Sequence, residues 1–318
     1  MAEFELIARI LERATTARDD VILGIGDDAA LLQPRAGMQL VVTMDTLNAG
    51  VHFPHDTPVD AIGWKALAVN LSDLAAMGAM PAWCTLSLSL PQADAAWVDG
   101  FLDGFLALAA RHDVALVGGD TTRGPLSICV SAHGFVERGT ALRRSGARVG
   151  DDIWVTGTLG DAAAALAQWQ SGAAIDAALR RRLDRPTPRH DVGRALRGIA
   201  SACIDVSDGL LADLGHVCTA GGVGAEVEIA ALPASAALRA AFAPPVLQQL
   251  QATGGDDYEL CFSAPRAMRE PLADVASITG TSLARIGRIV EGDRVIARDD
   301  SGAEWTSSRL GHDHFRVE

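Results

Sequence analysis

A layered α/β protein of two domains is predicted by three features of the sequence. Strand-like and helix-like segments alternate in both halves, the chain runs to 318 residues with 49% hydrophobic content, and residues 137–150 interrupt the alternation with a basic, glycine-containing stretch. Alternation of this kind argues for an α/β or α+β layered fold and against a helical bundle or a β-sandwich. The length exceeds what one core usually spans, so we expect domains at 1–140 and 150–318.

Phe4, Leu6, Ile7, Ile10 and Leu11 recur at helical spacing and open the chain with an amphipathic helix. A short strand, 21–23, leads into Gly24-Ile25-Gly26-Asp27-Asp28, and a second strand, 39–44, ends at Asp45. Asp56 or Thr57, ahead of Pro58, starts a long helix to about Met77, which Gly78 and Pro81 stop. Residues 82–90 alternate as a strand, 93–111 read as a helix, and a strand at 114–117 delivers Gly118-Gly119-Asp120 at its carboxyl end; a strand at 126–136 follows. In the second half 152–156 is strand-like, Gly160-Asp161 begins an alanine-rich helix, and two helical segments flank Pro186 and Pro188. Ser207-Asp208 are expected to cap the helix after strand 202–206. Strands at 225–229, 258–263, 283–289 and 293–297 then alternate with helices at 234–241, 244–251 and 265–276.

The formal charge of −13 argues against a nucleic-acid or anionic-membrane surface, because both need clustered Lys and Arg. An anionic substrate is then held by metal or by local arginines. Lys65 is the only lysine, and its Gly-Trp-Lys-Ala setting is neither a phosphate loop nor the strand lysine of protein kinases. Five scattered cysteines without Cys-x-x-Cys spacing indicate neither disulfides nor zinc and read as core thiols of a cytosolic protein. The acidic start, Met1-Ala2-Glu3-Phe4-Glu5-Leu6, is unlike a signal peptide, and no uncharged apolar stretch is long enough to span a bilayer.

Aspartates beside glycine or hydroxyl residues recur at 27–28, 45, 73, 120, 205, 208 and 256–257. Carboxylate oxygens suit Mg²⁺ and glycine admits a phosphate close to the backbone, so the pattern points to a metal-bound polyphosphate. The same Gly24-x-Gly26-x-x-Ala29 with Asp45 downstream superficially fits a dinucleotide fingerprint, but Asp27 and Asp28 would repel a pyrophosphate and Pro34 cuts off the helix that should bind it. Asp73 lies mid-helix among Leu71, Leu74, Ala75 and Ala76, one turn from Asn70. Either it is buried and needs a cation, or Asn70 and Asp73 form a solvent stripe. Asp120 is followed by two threonines and Arg123, and Asp205, Ser207 and Asp208 repeat that mixture. Asp213 reads as a helix-start charge. His52 is the histidine beside an aspartate loop, and Arg143, Arg144 and Arg148 either grip phosphate or solvate the linker.

Gly24-Ile-Gly-Asp-Asp28, Asp45-Thr-Leu47, the run from Lys65 to Ala79, Gly118-Gly-Asp-Thr-Thr-Arg-Gly-Pro-Leu126, Ser207-Asp-Gly-Leu210 and Asp257-Tyr-Glu-Leu260, in this order, resemble the thiamine-monophosphate kinase family. The likeness runs from about Phe4 to Phe315. It implies an aminoimidazole ribonucleotide synthetase-like fold: an N-terminal α/β domain for ATP, Mg²⁺ and dimerisation, whose strands form a barrel across a homodimer, and a C-terminal α/β sandwich domain that completes the active-site cleft. It also implies Asp28, Thr43, Asp45, Asp73, Asp120, Asp205 and Asp208 as Mg²⁺ ligands, with Asp28, Asp73, Asp120 and Asp208 central to catalysis. Gly119, Asp120, Arg144 and Ser207 correspond to ATP contacts, and His52, Asp256 and His312 to thiamine phosphate contacts. Asp256 stands where the family commonly has Glu, and Gly311-His312-Asp313-His314 stands where it has an aromatic, so Trp305 is an alternative ring contact to His312.

The implied reaction moves the γ-phosphoryl group of ATP in line onto thiamine monophosphate, the last step of thiamine diphosphate synthesis. A phosphate oxygen is largely deprotonated at neutral pH, so no general base is demanded, in keeping with a chain without an evident Ser-His or Cys-His dyad. A selenophosphate synthetase-like relative would need an N-terminal reactive Cys and a lysine-containing loop, yet no Cys precedes Cys84 and no Lys precedes Lys65. A non-catalytic nucleotide- or metal-binding module is the remaining alternative.

Overall fold

The computed structural model describes residues 3–14 and 18–307 and divides the chain into two compact units, one formed by 1–74 with 79–139, the other by 75–78 with 140–318. The first unit contains α1 (Glu3–Arg13), β1 (Val21–Leu23), β2 (Leu31–Leu32), β3 (Met38–Asn48), α2 (Val59–Ala76), β4 (Met80–Leu90), α3 (Ala95–Arg111), β5 (Ala115–Arg123) and β6 (Ser127–Glu137). β1 and β2 form a small antiparallel pair, and the other strands make a four-stranded sheet in the order β3-β6-β4-β5. β6 is antiparallel to both neighbours, whereas β4 and β5 run parallel.

α2 shows no clear polar face because most of its surface is covered: Leu67, Leu71 and Leu74 are fully buried, and so is Asn70. Burial of each such leucine contributes roughly 1.5–3 kcal/mol. α2 meets α3 almost backbone to backbone, since a Cβ on Gly63 would sit 1.9 Å from the Phe101 carbonyl oxygen and one on Gly104 1.7 Å from that of Asp60. Only glycine fits at either position.

The second unit contains β7 (Asp152–Thr156), α4 (Asp161–Gln170), α5 (Ala177–Asp184), α6 (His190–Ala195), β8 (Ala202–Val206), α7 (Leu210–Gly221), β9 (Gly224–Glu228), α8 (Ala236–Ala241), α9 (Pro244–Thr253), β10 (Glu259–Ala264), α10 (Arg269–Thr279), β11 (Leu283–Val290), β12 (Val295–Arg298) and β13 (Glu304–Trp305). These strands form one sheet in the order β13-β12-β9-β11-β7-β10-β8. Alternate residues feed two cores. Ile153, Val155, Ile204, Val206 and Cys261 join one with α7 residues, while Cys203, Leu260 and Phe262 join the other with Val192, Leu272 and Val275. Coverage of both faces explains why β8 and β10 are buried along their whole length and read as apolar runs rather than alternating ones.

The sequence expectations differ from the fold at two points that matter for the site. β3 continues three residues past Asp45, and β5 runs through Gly118-Gly119-Asp120 to Arg123, so both aspartates lie within strands rather than in loops after them. The glycine pair signals a close approach rather than a turn: a Cβ on Gly119 would lie 1.8 Å from the Leu86 carbonyl oxygen on β4. No helix follows the Gly24–Asp28 segment; β2 does, which removes the dinucleotide reading.

Candidate functional site

In the first unit the structure joins β3 to α2 through the predicted residues. Thr43 and Asp45 are two apart on β3 and so share a face, as do Asn70 and Asp73, three apart on α2. The Thr43 hydroxyl donates to the Asp73 carboxylate, the Asp45 amide donates to Asn70 Oδ1 at 3.0 Å, and Asn70 Nδ2 donates to the Ala66 carbonyl at 3.1 Å. Asn70 is therefore a buried stitch rather than part of a solvent stripe, and Asp73 is half-buried beside a hydroxyl. The Ser131 hydroxyl, missed from sequence, donates to the Thr43 carbonyl at 3.1 Å and ties the same point to β6.

Asp28 and Asp120 are exposed. The Asp28 amide donates to Asp27 Oδ1 at 2.8 Å, a local turn bond that accounts for Asp27. Asp120 lies on β5, the edge of the sheet opposite β3, where it pairs with Ser87 of β4. Three strand spacings separate those edges, roughly 14 Å, so the sheet does not bring Asp45 and Asp120 together. Among the described residues no group of three or more His, Cys, Asp or Glu side chains is arranged to hold a metal ion. The donors are nonetheless all oxygen, and Mg²⁺ is typically held by one or two carboxylates together with substrate phosphates and water rather than by an all-protein cage. The residues present fit an ion that arrives with a nucleotide.

His52 Nδ1 accepts the Asn48 amide at 2.9 Å, which assigns the proton of the neutral ring to Nε2. Lys65, buried in α2, donates from Nζ to the His52 carbonyl at 2.9 Å, so the single lysine of the chain is a tether for the histidine loop. Its role was invisible in sequence because the two residues lie thirteen apart on different elements. A surface depression of about 690 Å³ lined by Arg18, Asp20, Gln33, Arg35 and Asp113 contains none of the predicted site residues. Arg18 grips Asp20 there and holds its carboxyl down at about 2.

In the second unit β8 ends at Val206 and turns through Ser207-Asp208-Gly209 into α7. Neither Ser207 nor Asp208 caps that helix. Instead Asp213, in its first turn, points back, and its Oδ2 accepts the amides of Ser207, Asp208 and Gly209 at 3.0, 3.1 and 3.1 Å. Burial, and then the nearby Asp208 charge, push the Asp213 carboxyl up to about 7. Those three amides are occupied, so this loop offers a phosphate its side chains and not its backbone. Asp205, on β8, is buried.

The segment leading into β10 lies against the same turn. The Asp256 amide donates to the Ser207 carbonyl and the Tyr258 amide to the Val206 carbonyl, both at 2.8 Å. Asp256 is thus brought beside Ser207 and its neighbour Asp208. Its sequence neighbour is different: Asp257 is buried and takes the Gly160 amide on both oxygens at 2.9 Å, closing the N-terminus of α4. Burial raises its carboxyl well above the ordinary range. The 256–257 pair is therefore one candidate ligand and one structural cap.

Arg144 is exposed in a segment that runs along the free edge of β8, where the Cys203 amide donates to the Arg143 carbonyl at 2.9 Å. His312 lies outside the described residues. Trp305, the alternative ring contact, is on β13 and packs against the core of the second unit. No helix among the described residues is long and apolar enough to cross a membrane.

Comparison with known proteins gives this arrangement a family. Residues 26–136 match the model of the AIR synthase related protein N-terminal domain, and residues 148–300 match that of the C-terminal domain. A thiamine-monophosphate kinase of Salmonella typhimurium is 47% identical over 98% of both chains. The crystal structure of thiamine-monophosphate kinase from Stenotrophomonas maltophilia superimposes with a TM-score of 0.87 at 58% identity, covering 93% of this chain and 96% of that one. AaThiL, solved in complex with AMPPCP and TMP, superimposes with a TM-score of 0.78 at 32% identity, covering 98% and 97%. With both domain models matched and full-length relatives at this identity, the chain belongs to the thiamine-monophosphate kinase family.

Proposed function

We propose that this protein is an ATP-dependent phosphotransferase that converts thiamine monophosphate to thiamine diphosphate by direct in-line transfer. The observation that carries the reading is the end-to-end match to thiamine-monophosphate kinases, 47% identical over 98% of each chain in the Salmonella case. The acceptor is a phosphate oxygen that is largely ionised at neutral pH, so the protein's task is to bring two polyanions together rather than to remove a proton. Asp28, Thr43, Asp45, Asp73 and Asp120 of the first unit and Asp205 and Asp208 of the second are the residues that would hold Mg²⁺. The ions would supply the positive charge that offsets repulsion between donor and acceptor phosphates. Gly119, Asp120, Arg144 and Ser207 are assigned to ATP, and His52, Asp256 and His312 to thiamine monophosphate. In this scheme Asn70 and Asp213 shape the backbone that carries the ligands, and Lys65 fixes the His52 loop. Mixing the full chain with ATP, Mg²⁺ and thiamine monophosphate should yield thiamine diphosphate and ADP in equal amounts, read by mass. ATP binding without that product would leave only a nucleotide-binding module.

The working form is proposed to be a homodimer built on β3. This strand is a sheet edge, and Leu40, Val42 and Met44, on one of its faces, are 47%, 56% and 65% exposed. Ile22 and Leu31 of the adjoining hairpin are exposed as well. An apolar stripe on an unpaired edge invites pairing with a second copy unless something covers it. Val42→Glu places a charge at its centre and should convert a dimer to a monomer in light scattering, with little change in the thermal midpoint of the second unit. An unchanged mass would move the interface elsewhere.

A further inference from the structure

We infer that Tyr258 is a positioning residue that fixes the carboxylate of Asp256 for recognition of the thiamine moiety, a cationic heteroaromatic group that also carries an amino substituent. The inference rests on the assignment of Asp256 to thiamine monophosphate made above, and it adds a residue to which neither the motif nor the family resemblance gave a role. Tyr258 is the only tyrosine in the chain, and it is buried. Its hydroxyl donates to Asp256 Oδ1 at 2.9 Å, two residues back along the same loop.

That contact exists because the backbone is held in an unusual shape. Asp256 has φ +69° and Tyr258 φ +50°, a left-handed conformation that is uncommon for aspartate and a genuine outlier for an aromatic side chain. Such conformations cost on the order of 1–3 kcal/mol each and persist only when the surroundings over-determine them. Here they do. The amides of Asp256 and Tyr258 are bonded to the end of β8, the intervening Asp257 carboxylate is locked on the Gly160 amide, and Glu259 is held by two arginines and Thr156. With the chain pinned at four successive positions, the ring of residue 258 folds back against the side chain of residue 256. A phenylalanine would occupy the same space but leave that carboxylate oxygen without the phenol.

The consequence is a matter of specificity rather than of chemistry. Aspartate reaches one methylene less far than the glutamate common at this position in the family, so its orientation matters more. A carboxylate held in one rotamer meets a cationic or amino-bearing ring without first losing side-chain freedom, whereas an untethered one must be ordered by the ligand. The effect should fall on the thiamine phosphate side of the reaction and leave the nucleotide side alone.

The test uses the full-length enzyme in four forms: wild type, Tyr258→Phe, Asp256→Ala and the double variant. Tyr258→Phe keeps the ring and the backbone cost, so its melting midpoint should match wild type. Its KM for thiamine monophosphate should rise about fivefold, with kcat and the KM for ATP within about twofold. In the Asp256→Ala background the same change should add nothing further, because the contact through which the two residues act is already gone. Raman scattering from the single tyrosine should report a strongly accepting partner in wild type and lose that signature in Asp256→Ala. The inference is overturned if Tyr258→Phe leaves the KM for thiamine monophosphate unchanged while Asp256→Ala raises it. It is equally overturned if the phenylalanine adds its full factor on top of Asp256→Ala, or shifts both KM values and the melting midpoint together. If wild type does not turn over thiamine monophosphate, the functional reading itself fails, and this inference with it.

Discussion

Asp73→Asn is expected to give a folded protein whose kcat is lowered by at least about a hundredfold, with the midpoint for Mg²⁺ activation moved to higher concentration. The structure explains why folding should survive. Asp73 is half-buried on α2 and accepts the Thr43 hydroxyl; asparagine has nearly the same volume, and its Oδ1 can accept that hydrogen bond. The attachment of α2 to β3 does not depend on Asp73 alone, because Asn70 separately takes the Asp45 amide. What the change removes is a negative charge beside Thr43 and Asp45. Unit charges about 4 Å apart interact by roughly 1 kcal/mol in bulk water and by about 4 kcal/mol near a protein surface, so if Asp73 holds a divalent ion as proposed, losing its charge should weaken that hold substantially. Circular dichroism and thermal melting establish the fold, divalent-ion titration reads the metal, and steady-state assay reads the chemistry. Near-normal turnover at saturating Mg²⁺ would remove Asp73 from the metal set.

Much of this layout was legible in the sequence because it is local. The long buried helix α2, the strand and helix alternation of the second unit and the breaks at Gly78 and Gly160 follow from periodicity and stop signals. The ends of β3 and β5 were misread for one reason: both are sheet edges, where a polar side chain can face solvent, so Asp45 and Asp120 looked like loop residues although they belong to strands. Gly119 looked like part of a turn, whereas it is there to let β5 pass close to the Leu86 carbonyl.

The divided fate of the aspartates was legible only for Asp213, which reads as a helix-start charge and does lie in the first turn of α7. Composition and spacing treat Asp208, Asp256 and Asp257 alike, yet Asp257, like Asp213, spends its oxygens on backbone amides that arise only once helix N-termini and neighbouring loops have formed. The helix-start reading of Asp213 did not reveal which groups the carboxylate would meet, because Ser207-Asp208 were expected to cap the helix that Asp213 holds at its start instead. No clue existed for Asn70, whose partner on β3 is 25 residues away.

Glu259 is the position where a single change should cost the most stability. It lies at the start of β10 with none of its side chain exposed, and four polar contacts converge on it: Arg182 Nη2 at 2.7 Å, Arg189 Nε at 2.6 Å, Arg189 Nη2 at 2.5 Å and the Thr156 hydroxyl at 2.5 Å. Both guanidinium groups are largely covered, at 20% and 18% exposure, so neither can recover a full water shell if the carboxylate goes. Gly157 belongs to the same arrangement: its φ is +57° and a Cβ there would fall 2.2 Å from Glu259 Oε1, so only glycine leaves room for the acid. A buried pair like this gives modest net stability compared with apolar packing, but removing one partner strands the other, typically at about 3–5 kcal/mol. Glu259→Ala should therefore lower the urea unfolding midpoint by an amount equivalent to about 3–5 kcal/mol, with Glu259→Gln in between because it keeps the shape and one acceptor oxygen but loses the charge and turns the other oxygen into a donor facing donors. Replacing Arg182 and Arg189 by methionine in the Glu259→Ala background should restore part of the loss, since the stranded charges are then gone. Because Glu259 follows directly on the Asp256–Tyr258 turn, its loss should also free that turn and raise the KM for thiamine monophosphate; a midpoint shift under about 1 kcal/mol would show that water, not arginine, meets this carboxylate.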